Sequence, residues 1–144
     1  MDILVSVIMP VYNMVEFVRA GIDSILQQTF SSFEFIIIDD ASDDGTDHVV
    51  RSYEDSRIVF VRNCFNIGSY ASRNKGMRRA RGKYIAVMDA DDIAMPERLM
   101  KQVDYLEAYP DMLAVGTDCM FVPNGLQKKV VGSYQDILTA LLNN

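Results

Sequence analysis

The chain has 144 residues, 49% of them hydrophobic and 24% charged, enough for one domain with its own core and too apolar for disorder. Its formal net charge of −6 argues against broad nucleic-acid binding, although Arg73, Lys75, Arg78, Arg79, Arg81 and Lys83 gather locally. No apolar run approaches the ~20 residues of a membrane-spanning helix, no signal-peptide pattern opens the chain, and Cys64 and Cys119 lack disulfide-framework or zinc spacing.

Val5 to Met9 reads as a buried, β-branched strand bounded by Pro10. Val15 to Gln28 follows with Val15, Val18, Ile22, Ile25 and Leu26 at helical spacing. Phe33 to Ile38 is a second strand, apolar through Ile36, Ile37 and Ile38 as a strand covered on both faces must be. Ser42 to Thr46 is turn and helix-cap chemistry leading into a short helix that ends near Tyr53. Arg57 to Val61 is a third strand and Asn63 to Gly68 a loop. Ser69 or Ser72 then caps a helix running to about Ala80, with Gly82 as its C-cap. Tyr84 to Met88 is the fourth strand, Pro96 opens a helix with Leu99, Val103 and Leu106 on one face, and Met112 to Gly116 is expected as a fifth strand.

Strand–helix alternation of this kind predicts an α/β fold, three layers α/β/α around a mostly parallel sheet. Ligands bind such sheets beyond the carboxyl ends of the strands. That rule brings Tyr12 and Asn13, Asp39 and Asp40, the 63–68 loop and the run Asp89 to Asp92 to one edge. The last of these sets three carboxylates within four residues directly after a strand. Like charges so close repel, and a divalent cation relieves them. Carboxylate oxygens suit Mg²⁺ or Mn²⁺, which share their coordination with phosphate oxygens, so a metal site facing a phosphorylated ligand is expected.

The segments Pro10-Val11-Tyr12-Asn13, Asp39-Asp40-Ala41-Ser42-Asp43-Asp44-Gly45-Thr46 and Asp89-Ala90-Asp91-Asp92 stand in an order that resembles the family 2 glycosyltransferases. Asn66-Ile67-Gly68, Ala71-Ser72-Arg73-Asn74 and the run Ala80 to Ile85 fit the same pattern, so the resemblance covers residues 5 to about 122. It implies a Rossmann-like GT-A domain over 1–122 and the start of an acceptor-side region over 123–144. It also implies an inverting enzyme that transfers a sugar from a nucleotide-diphospho-sugar, UDP favoured, to a glycan or lipid-linked hydroxyl acceptor. Such an enzyme works in the cytoplasm or at the inner face of a membrane.

By that resemblance Pro10, Val11, Tyr12 and Asn13 line the nucleotide pocket, with Glu16 one turn into the next helix. Tyr12 offers a stacking face for the base. Asp40 is assigned to a uracil-type ring N–H, an acceptor that favours uracil over cytosine, while Asp39 supports the loop. Arg73 either binds the pyrophosphate or braces the acidic loop. The first aspartate of the Asp89-Ala90-Asp91 motif reaches the ribose and the last ligates Mg²⁺ or Mn²⁺, with Asp92 as the substitute ligand. Plainer roles compete at several of these positions: Asn13 as a helix cap, Asp43 and Asp44 as turn residues, His48 as an exposed structural histidine.

Inversion needs a base for the acceptor hydroxyl, and the resemblance expects it beyond Asn144; Asp136 stands too early. The chain is therefore expected to be a truncated donor-binding half, able to self-associate as a homodimer through its final apolar segment. Two other readings compete. One is a non-catalytic nucleotide-binding module. The other is a sugar-1-phosphate nucleotidylyltransferase, for which the glycine-rich basic loop near the N-terminus is missing.

Overall fold

A computed structural model of the chain describes residues 2–118. Cys119, Asp136 and the region 123–144 lie outside the described residues. The chain divides into two compact units, Met1–Lys101 and Gln102–Asn144. Eight elements follow in order: β1 Val5–Val11, α1 Val18–Leu26, β2 Phe33–Asp39, α2 Thr46–Arg51, β3 Ile58–Arg62, α3 Ser69–Met77, β4 Tyr84–Val87 and α4 Arg98–Ala108. Among the described residues, no helix is long and apolar enough to cross a membrane.

The four strands form one parallel sheet in the order β3-β2-β1-β4. The chain moves outward from β1 to β3 and then returns to place β4 on the other side of β1. That reversal opens a crevice at the carboxyl ends of β1 and β4. β1 and β2 are buried at every position, in keeping with their mostly apolar residues, with Ser6, Glu34 and Asp39 as the buried polar exceptions. Each fully buried Ile or Phe there contributes roughly 1.5–3 kcal/mol.

The two faces of the sheet can be told apart by two glycines. A Cβ on Gly76 of α3 would fall 2.6 Å from Ile8 and 3.4 Å from Ile38, whereas one on Gly21 of α1 would meet Met9 at 3.3 Å. Ile8 and Met9 point to opposite faces of β1, so α1 and α3 cover opposite sides. α1 in turn packs on α2, which completes the three layers.

At the end of the sheet away from the crevice, a polar cluster centred on buried Ser6 and Glu34 joins β1, β2 and the segment before β4. Ser6 donates to Glu34 Oε1 at 2.7 Å, while Arg81 donates its backbone N–H to the same oxygen at 2.7 Å and two guanidinium N–H groups to Oε2. Burial alone would raise the Glu34 carboxyl, but the bonds from Ser6 and Arg81 outweigh it and hold the group below its ordinary value.

Three expectations are corrected. Gly82 is no helix cap; α3 ends at Arg78, and Gly82 is small because a Cβ there would come 2.6 Å from the Ser6 amide. Its own N–H donates to Ser6 Oγ at 2.9 Å, so close approach to β1 sets the residue type. Neither Ser69 nor Ser72 caps α3: Gly68 takes the N-cap position, without a side-chain cap bond. Met112 to Gly116 forms no strand, because an apolar run needs a strand edge to receive its backbone bonds and none pairs with it among the described residues.

Candidate functional site

A cleft of about 320 Å³ opens at the carboxyl ends of the strands. β1 and the turn after it contribute Pro10, Val11, Tyr12 and Met14, and the residue that follows β2 is Asp40. The loop entering α3 adds Asn66, Gly68 and Ser69, and the segment after β4 adds Asp89, Ala90 and Asp91.

Asp40 is 2% exposed, and its carboxylate organises one wall of the cleft. Oδ1 accepts from Asn63 Nδ2 at 2.7 Å and from the Ile67 amide at 3.0 Å, and Oδ2 accepts from the Gly68 amide at 2.8 Å. The Asn63 side-chain amide also donates to Ser72 Oγ at 2.9 Å. Burial would raise this carboxyl, yet the bonds from Ile67, Asn63, Ser72 and Gly68 together keep it below its ordinary value. Asn63 is fixed in turn by Lys75, whose Nζ lies 2.5 Å from Asn63 Oδ1. A carboxylate has about four acceptor sites, and three bonds from the 63–68 loop occupy it here. Asp40 thus anchors that loop while lining the cleft.

Asp39 stands behind it, fully buried. Its Oδ1 accepts from the Ser42 amide and hydroxyl, and its Oδ2 lies 3.2 Å from Arg62 Nε without an aligned hydrogen bond. Arg62 also pairs with Asp47 and donates to the Ser42 carbonyl at 2.6 Å. Asn13 adopts a left-handed backbone, φ 52°, and caps no helix. Its Oδ1 accepts from the Asp43 amide at 3.0 Å, so it ties the turn after β1 to the turn after β2. Asp44 does more than a turn residue. Oδ1 receives the Thr46 amide and hydroxyl while Oδ2 receives the Val15 amide at 3.0 Å, 29 residues away in sequence.

The acidic end is built differently. Arg73 Nη2 donates to Asp89 Oδ1 at 3.0 Å, which is the bracing alternative for this arginine. The Asp91 side chain has neither hydrogen-bonding nor ion-pair partner among the described residues. Asp92 does not line the cleft. Burial first, then the charges of Asp91 and Asp89, push its carboxyl above its ordinary value against the opposing pull of Arg98. Negative charge here exceeds what the protein compensates. No group of three or more Asp, Glu, His or Cys among the described residues is arranged to cage a metal. Two carboxylates, Asp89 and Asp91, line the cleft, a donor set that fits a cation completed by phosphate oxygens and water.

The description "Glycosyl transferase family 2" belongs to the family profile that matches residues 6–134. The chain belongs to this family. A UDP-Glc:alpha-D-GlcNAc-diphosphoundecaprenol beta-1,3-glucosyltransferase of Escherichia coli is 38% identical over 105 residues, 73% of this chain and 42% of that protein. Among solved structures, S. aureus TarS 1-349 in complex with UDP-GlcNAc superposes with a TM-score of 0.69 at 26% identity, covering 74% of this chain and 32% of that one. A mannosyltransferase from Pyrobaculum calidifontis in complex with GDP-Man and Mn²⁺ gives 0.69 at 27% identity, covering 81% and 34%. The fold is that of the GT-A glycosyltransferases. The chain spans about two fifths of the length of the curated relatives it matches.

Within this family 2 chain, the cleft brings together Pro10, Val11, Tyr12, Asp40, Asp89, Ala90 and Asp91. Asn13, Glu16 and Arg73 do not line it: Asn13 is turned to Asp43, Glu16 is exposed, and Arg73 stands behind Asp89. Met14 lines it without having been singled out, and Asn66 and Ser69 line it although the sequence marks them only as a motif residue and a helix cap. Ser69 carried one usable signal, as the first helical residue after a loop at the carboxyl edge.

Proposed function

We propose that this chain holds the donor of a metal-dependent, inverting glycosyltransferase. The donor is a nucleotide-diphospho-sugar, uridine the favoured nucleoside, and the acceptor a glycan or lipid-linked hydroxyl. One observation carries the reading: a single cleft has an exposed aromatic, Tyr12, at one end and a carboxylate without a cation partner, Asp91, at the other. Tyr12 stacks on the base, and the loop anchored by Asp40 flanks it. Asp89, steadied by Arg73, reaches the ribose. Asp91, with Asp89, holds Mg²⁺ or Mn²⁺, which when bound supplies positive charge to the departing diphosphate. The UDP-Glc in the E. coli relative's name and the UDP-GlcNAc bound to TarS support uridine, and the Mn²⁺ bound to the mannosyltransferase supports the cation.

Calorimetric titration with UDP and GDP, with and without Mn²⁺, tests the donor site. UDP is expected to bind more tightly than GDP and to need Mn²⁺, and Asp91→Ala is expected to remove the metal dependence. Binding indifferent to both Mn²⁺ and Asp91→Ala would sink the metal assignment. Release of UDP from UDP-glucose on addition of a sugar acceptor distinguishes a transferase from a nucleotide-binding module.

A further inference from the structure

The last sheet-type bond at the carboxyl end of β1 runs from the Asp40 amide to the Val11 carbonyl, 2.8 Å, and Tyr12 follows at once. The next three amides all donate to side chains of the segment after β2. Asn13 N–H donates to Ser42 Oγ at 3.0 Å, Met14 N–H to Thr46 Oγ1 at 2.9 Å and Val15 N–H to Asp44 Oδ2 at 3.0 Å. Ser42 and Thr46 are both buried. Each of these hydroxyls accepts one amide and donates to a carboxylate of its own segment, Ser42 to Asp39 and Thr46 to Asp44. A hydroxyl has one proton, so each carboxylate fixes its direction and leaves a lone pair for the incoming amide. Tyr12 is 45% exposed, and its hydroxyl has no partner among the described residues. Its ring therefore takes its place from the backbone, held by Val11 on one side and by these hydroxyls on the other.

We propose that Thr46, together with Ser42, is a positioning residue for Tyr12: its buried hydroxyl holds the turn after β1 so that the ring faces the nucleoside. This rests on the nucleotide-sugar reading above. Neither hydroxyl touches the ligand, and both act through the backbone on either side of Asn13.

The test uses the full 144-residue chain. Thr46→Val keeps the shape and removes the hydroxyl, and Thr46→Ser restores it. Thr46→Val is expected to weaken UDP binding about tenfold, within the range of one base-stacking contact, and Thr46→Ser to recover it. In a Tyr12→Ala background the same change is expected to cost almost nothing further, because its effect passes through Tyr12. An equal loss in both backgrounds overturns the proposal. Should Thr46→Val not fold, Asp44→Ala at an exposed position enters the same cycle with the same two outcomes. If the unmodified chain binds no UDP, the nucleotide reading fails by itself, and amide exchange in the ligand-free protein decides the tether. Faster exchange at Asn13 and Met14 in Thr46→Val, with Val7 and Ile37 unchanged and Thr46→Ser reverting, supports it. Unchanged exchange at Asn13 and Met14 overturns it.

Discussion

At one end of the cleft Asp40 accepts from three of the protein's own donors, while at the other Asp91 has no hydrogen-bonding or ion-pair partner among the described residues and burial with neighbouring charge holds the Asp92 carboxyl above its ordinary value. The first arrangement is largely complete when the chain folds. The second has more negative charge than the described residues balance. A rigid end sets which ring fits, and a charge-deficient end makes binding conditional on a cation. The two ends should thus respond differently to substitution.

The largest contrast is expected in stability. Asp40→Ala leaves the donors of Asn63, Ile67 and Gly68 without their acceptor inside a packed wall, at a cost of about 3 kcal/mol. Asp91→Ala should stay within about 0.5 kcal/mol of the unmodified chain. Urea denaturation of both variants would break the contrast if they unfolded together.

Ligand linkage comes next. With UDP and Mn²⁺ at about ten times their joint Kd, the unmodified chain should gain about 1.4 kcal/mol, and Asp91→Ala should lose the Mn²⁺ increment in a thermal-shift assay.

Acid separates the ends by sign. Asp40 and Glu34 bind protons less readily folded than unfolded, so the unfolded chain takes up more protons and stability falls as pH drops below about 4.5. Asp92, raised in the folded state, contributes in the opposite direction over the same range. Asp44, Asp55 and Glu97 are depressed as well, so five lowered carboxyls stand against one raised and a net decline is expected, at most about 1.4 kcal/mol per pH unit for each net proton. Asp40→Asn should flatten that decline; an unchanged slope in a pH series of melting temperatures would remove Asp40 from the account.

The smallest effect belongs to Arg73→Ala. It breaks one partly exposed ion pair with Asp89 and should change stability by less than about 1 kcal/mol. Its effect on UDP affinity in the presence of Mn²⁺ should be larger than in its absence.

Legibility in the sequence divides along similar lines. β1 and β2 can be read directly, because a strand covered on both faces is apolar along most of its length, Ser6, Glu34 and Asp39 excepted. The edge that gathers Tyr12, Asp40 and Asp89 follows from topology alone. What fills Asp40 does not. Asn63, Ile67 and Gly68 lie 23, 27 and 28 residues away, and helical or strand periodicity carries no trace of such pairs. Asp44 reads as a turn residue because its local bonds to Thr46 are visible in the motif, while its bond to Val15 is not. Gly82 reads as a cap because glycine after a helix usually is one, and only the packed β1 backbone reveals its other use. Resemblance places Asn13, Glu16 and Arg73 at the right stations along the chain, but the direction of a side chain is decided by its neighbours in space.

Gly21 on α1 lies under the acidic segment: a Cβ there would meet the Ala90 carbonyl at 2.9 Å and the Asp92 carbonyl at 3.4 Å. Nearby, Ser24 Oγ receives the Ala94 amide, and Gln28 holds both the Met95 carbonyl and the Leu99 amide. One helix thus serves as a spacer gauge, beginning just beyond the turn that carries Tyr12 and supporting the loop that carries Asp91. A methyl group added at position 21 has no room beneath the Ala90 carbonyl, so Gly21→Ala would displace the acidic loop from behind without altering any residue that lines the cleft.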